Sequence, residues 1–208
     1  MLHKLAEDIS FYLITNNIID IEDREIYIYG LELLISTLFT SISILILGFL
    51  IGNLIFAVTF LLVHFFLKSY TGGYHAKHYY ECYIYSIFTY IVLVILNCII
   101  SDIYKPFIGL LLLIISMLVI FKFAPIENKN NPKTEEEMVR NKKISRIRIS
   151  ILSATGVLGY IVKADLIDIW FMLAITVFSI AYSIIKQKYL ERGVQGGKHK
   201  DESIKKHC

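Results

Sequence analysis

Cys82 ends the stretch YTGGYHAKHYYEC (residues 70–82), which also holds His75, His78 and the pair Gly72-Gly73 between two runs of Ile, Leu and Phe. A cysteine beside an imidazole is the material of thiol chemistry. A free thiol has a pKa of about 8.5, so only a few per cent is thiolate at neutral pH, and a neighbouring histidine can take the proton. His78 precedes Cys82 by four residues and shares its face on a continuous helix. His75 precedes it by seven, which on the same helix sets the two ~10 Å apart along the axis. That spacing favours His78. Adjacent glycines weaken a helix, though, and open backbone conformations closed to other residues. A loop through Gly72 and Gly73 folds His75 toward Cys82 and aims N–H groups at one point, as an oxyanion requires.

A zinc site built from His75, His78 and Cys82 wants a fourth ligand, and none is evident nearby. No metal or other cofactor is therefore expected. The other two cysteines suggest no disulfide framework. Cys98, in VILNCII, reads as an apolar filler, and Cys208 ends a lysine-rich tail.

The elements that must position these side chains are membrane helices. Hydrophobic residues make up 56% of the 208 and charged residues 19%, against about 45–50% and about 25% in soluble domains. Six apolar segments follow one another: 31–51, 54–67, 83–100, 106–123, 147–162 and 166–185. About 20 helical residues cross a ~30 Å hydrocarbon core. Polar breaks separate them at Asn53, Lys68, Ser101-Asp102, Glu127-Asn128 and Lys163–Asp165. Pro106 suits the first turn of the fourth segment and Pro125 its end. Thr134 and Glu137 have capping-box spacing, which predicts a helix from about Glu135 running into the fifth span.

Residues 1–29 read as an amphipathic helix on the cytoplasmic face, with Leu2, Leu5, Ile9, Tyr12 and Leu13 near helical spacing. They lack a cleavable signal pattern. Residues 30–186 form the transmembrane domain, and 187–208, rich in Gly and Lys, suggest a disordered cytoplasmic tail. The expected fold is thus all-α, a polytopic membrane bundle of about six transmembrane helices plus the N-terminal amphipathic one. The net charge of +3 gives no reason to invoke nucleic acid. Of the 21 Lys and Arg, only Lys105 and Lys163 fall in the loops that alternate with the basic ones. Basic residues favour the cytoplasmic side, so both termini and the quoted stretch are expected there. The basic run 140–148 reads first as a topology signal and lipid contact.

GGYHA, with Cys82 seven residues after His75, resembles the accessory gene regulator B (AgrB) family of membrane cysteine endopeptidases. FAPIENKNNP at 123–132, straight after the fourth span, is similar to the family's second landmark. The similarity extends over nearly the whole chain. It departs at Lys68, where many relatives are expected to carry arginine.

The resemblance implies that His75 and Cys82 are the catalytic pair, with His78 a solvated neighbour. It implies a short quorum-sensing propeptide as substrate, with an amphipathic leader and an acidic tail. Cys82 attacks the bond at the end of the signal segment, the tail leaves, and a side chain of the peptide closes a thiolactone or lactone on the acyl-enzyme. Gly72 and Gly73 are then candidates for the oxyanion donors, and Lys142, Lys143 and Arg146 for binding the acidic tail. The implied setting is a bacterial cell membrane, in contact with its lipids, with association as a homodimer. Two rivals come from other classes. A small-solute transporter normally carries ionisable residues inside its spans, and here the apolar segments hold few, notably Glu32 and His64. A membrane scaffold has no need of a Cys–His pair beside a glycine turn.

Overall fold

The computed structural model describes residues 2–72, 79–126 and 134–205, from residue 190 onward as backbone alone. The described residues are all-α, without strands. The elements are α1 (Leu2–Thr15), α2 (Arg24–Leu50, entered by a 3₁₀ turn over Ile21–Asp23), α3 (Leu54–Thr71), α4 (Tyr79–Ile99), α5 (Lys105–Phe123), α6 (Glu135–Val162) and α7 (Ile167–Lys205), the last entered by a 3₁₀ turn over Ala164–Leu166. Six of these, α2 to α7, are long and apolar enough to cross a membrane. In lipid a backbone must satisfy its own polar groups, which a helix does segment by segment.

The predicted spans and helices agree, with differences at the ends. α2 begins at Arg24 and α4 at Tyr79, each several residues before the apolar run that predicts it, because the polar flanking residues continue the helix. α6 begins at Glu135 as the capping box requires: Glu137 N–H donates to Thr134 Oγ1 at 3.3 Å and Thr134 N–H to Glu137 Oε2 at 3.1 Å. α7 is described as far as Lys205.

The chain divides into two compact units. The first comprises Met1–Leu54 and Ala76–Phe88. Here α1 turns its small residues inward, Ala6 and Ser10 being fully buried, and leaves Leu5, Phe11 and Tyr12 exposed, as suits a helix at a lipid interface. His3 Nδ1 lies 2.6 Å from Glu32 Oε1, and Arg24 Nη2 donates to Glu7 Oε1 at 3.3 Å. Glu32, one of the few ionisable residues inside a span, is thus paired. The start of α4 is tied to α2 by Tyr83, whose hydroxyl donates to Ser43 Oγ at 3.2 Å and whose ring lies 5.3 Å from that of Phe39.

The second unit comprises Ile55–His75 and Thr89–Cys208. Its core joins Val63 and Leu67 of α3, Leu113 and Ile120 of α5, Ile149 of α6, and Val177, Ile180 and Ile184 of α7. In lipid, helix association relies on close packing and small residues rather than on a hydrophobic drive. Gly109 of α5 accordingly receives the Tyr160 ring, and Gly159 of α6 the Trp170 ring. Where α4 ends and α5 and α7 begin, Lys105 is 4% exposed and bonded to Asp102 at 2.7 Å and to Asp168. Asn97 Nδ2 donates to the Asp168 carbonyl at 2.8 Å. A buried ammonium is tolerable only with such partners.

Candidate active site

The last carbonyls of a helix need partners from outside its regular ladder. At the C-terminus of α3 those partners converge on the entry to the GGYHA stretch. Gly72 N–H donates to the Lys68 carbonyl at 3.2 Å, Ser145 Oγ to that of Tyr70 at 2.9 Å, and Ile126 N–H to that of Thr71 at 3.0 Å. Arg148 Nη1 adds a bond of 2.5 Å to the Phe66 carbonyl, and its guanidinium stacks 4.0 Å from the Tyr70 ring centre and 4.7 Å from that of Phe66. α6 thus closes over the last turn of α3.

Gly72 stands at the exit with φ +69, in the left-handed region that costs other L-residues about 1–2 kcal/mol. A Cβ there would sit 2.5 Å from the Ile126 carbonyl oxygen. Glycine is required twice over, by conformation and by the approach of a second backbone. Ile126 belongs to FAPI, so the two sequence landmarks meet backbone to backbone, a contact that sequence reasoning does not supply.

The N–H of Gly72, an oxyanion-donor candidate, donates to the Lys68 carbonyl, and the glycine shapes the turn. Because Gly72 departs from α3, no single helix runs from α3 to Cys82. Gly73, His75 and His78 fall outside the described residues, and so do residues 127–133.

Cys82 is the fourth residue of α4 and is half-buried. Its carbonyl accepts from Ser86 Oγ at 2.9 Å, and the adjacent Tyr83 holds the helix against α2 within the first unit. Cys98 lies near the far end of α4, exposed on its surface.

The basic candidates separate. Arg146 is half-buried, donates from Nη2 to the Phe121 carbonyl at 3.1 Å and stands 5.4 Å from the Phe121 ring centre. With that bond it satisfies the end of α5, as basic residues at helix C-termini do. Lys142 and Lys143 are exposed. Lys188 Nζ lies 4.2 Å from the Phe123 ring centre and Lys122 Nζ 5.4 Å from it.

Sequence reasoning missed Ser145 and took Arg148 only as part of a basic run. A usable signal exists: Asn141, Ser145, Ile149, Leu152, Gly156 and Gly159 are all buried at three- and four-residue spacing. The packed stripe of α6 therefore continues into its polar half.

Comparison with known proteins follows the same residues. A family model described as Accessory gene regulator B matches residues 6–189. A putative AgrB-like protein 2 of Clostridium perfringens (strain 13) is 32% identical over 76% of this chain and 74% of its own length. A putative AgrB-like protein of C. perfringens strain SM101 is 30% identical over 80% of each. Protein FsrB of Enterococcus faecalis is 35% identical over 60% of this chain and 51% of its own length. No solved structure matches. With six membrane-length helices and a family match over nearly its whole length, the chain belongs to the accessory gene regulator B family of multi-pass membrane proteins, which serve the processing of quorum-sensing autoinducers.

Proposed function

We propose that the chain is a cysteine endopeptidase that removes the C-terminal tail from a quorum-sensing propeptide and hands the acyl group on for cyclisation. His75 takes the proton of Cys82, and the thiolate attacks the carbonyl at the end of the signal segment. The tetrahedral oxyanion is met by backbone donors, for which Gly72 and Gly73 are the candidates. Collapse of that intermediate breaks the C–N bond, His75 returns the proton to the departing amine, and the acyl group stays on sulfur as a thioester. An internal thiol or hydroxyl of the peptide then displaces Cys82 to give a thiolactone or lactone. Water must be kept from the thioester, since hydrolysis gives a linear peptide.

What supports this reading most is the Ile126–Thr71 bond, because it brings FAPI against the residue that precedes GGYHA, four residues upstream of His75. Cys82 itself stands in the first turn of α4. The site and both termini belong on the cytoplasmic side, and the enzyme works as a homodimer on a substrate with an amphipathic leader and an acidic tail. Alkylation by iodoacetamide tests the pair. Cys82 should react faster than an ordinary thiol and lose that advantage in His75→Ala; equal rates in both proteins would refute the pair.

Lys142 and Lys143, both exposed, engage the acidic tail together with Arg146. The double change to glutamine is expected to raise KM about 2–10-fold, as for exposed ion pairs worth up to about 1 kcal/mol each, with kcat kept. Processing kinetics at two salt concentrations check this. An unchanged KM removes the lysines from the substrate site.

A further inference from the structure

We infer that Arg148 and Ser145 of α6 are positioning residues for the reaction: they clamp the end of α3 and so hold the Gly72 turn from which the chain proceeds to His75. The inference rests on the active-site reading above.

The bonding of the α3 terminus carries it. A helix end in a membrane protein has little water to satisfy its last carbonyls. Here the Tyr70 carbonyl is met by the buried Ser145 hydroxyl, which also lies 2.7 Å from the Asn141 carbonyl. The guanidinium of Arg148 covers the Tyr70 and Phe66 rings and bonds the Phe66 carbonyl. Thr71 is fully buried, with its carbonyl bonded to Ile126 N–H. Residues 66, 70 and 71 are thereby fixed from two sides, by α6 and by the segment after α5. The left-handed conformation of Gly72 follows from a terminus that cannot rotate. Planar stacking combined with a carbonyl bond is a property of guanidinium that an ammonium does not reproduce, so the side chain acts by shape as well as by charge.

The test uses the full-length chain in its membrane, with iodoacetamide as the probe of Cys82, in Arg148→Lys and Ser145→Ala. Arg148→Lys keeps the charge, so a role confined to topology or lipid contact is rescued by it, whereas the clamp is not. Both variants are expected to insert and melt as the wild type does, yet to alkylate Cys82 at least tenfold more slowly, approaching the His75→Ala rate. Small displacements of reacting groups cost up to about 10²-fold. A wild-type rate in either variant overturns the clamp. So does a slow rate accompanied by failed insertion or a lowered melting temperature, because the effect is then on the whole fold. If wild-type Cys82 reacts no faster than Cys82 in His75→Ala, it is the active-site reading that fails. If that difference holds and the α6 variants are indifferent, only the clamp fails.

Discussion

Cys82→Ala is expected to abolish tail removal while the protein still inserts, and Cys98→Ala to process normally. Removing a nucleophile that works as a unit with its base costs on the order of 10⁶-fold in turnover. Cys82→Ser should be nearly as inactive, since a hydroxyl is a far weaker nucleophile at neutral pH than a thiol paired with imidazole. The contrast with Cys98 comes from one helix. Cys82 sits in the first turn of α4 and Cys98 in its last, the latter exposed on the helix surface. Co-expression with the propeptide, with release of the tail followed by mass spectrometry and insertion by membrane fractionation, reads both. Tail release by the Cys82→Ala protein would remove covalent catalysis from consideration.

The second large effect is predicted for Gly72→Ala. The left-handed φ of +69 costs alanine about 1–2 kcal/mol. The new methyl then meets the Ile126 carbonyl oxygen at 2.5 Å. That oxygen belongs to a backbone whose N–H is bonded to Thr71, so it has no flexible end to swing aside. Relief requires parting the segment after α5 from the end of α3. We expect a loss of about 2–4 kcal/mol in stability and at least about 10²-fold in processing, measured by melting in detergent and by tail release. Gly72→Asn separates the two causes. Asparagine tolerates the left-handed region but still carries a Cβ, so it should be almost as harmful as alanine. Near-normal activity of the asparagine variant would show that conformation, and not the backbone approach, makes glycine necessary.

Much of the fold was legible because membrane helices are local objects. Each satisfies its own backbone within four residues, so apolar length, the Thr134 capping box and the prolines mark the elements without reference to the rest. The pairing of Gly72-Gly73 with His75 and Cys82 was equally visible as a pattern, and so was the second landmark. The ends of α2 and α4 were misjudged because polar residues at a helix start do not announce themselves by hydropathy.

The amino-acid sequence alone determined the helices, the glycine turn and the cysteine with its two candidate bases. The tertiary structure alone decided that Gly72 spends its N–H on Lys68, that Arg146 serves Phe121, and that Ser145 and Arg148 bind carbonyls 75 and 82 residues away. A donor's availability depends on which acceptor packs against it. That acceptor lies on another helix, at a separation no local pattern encodes.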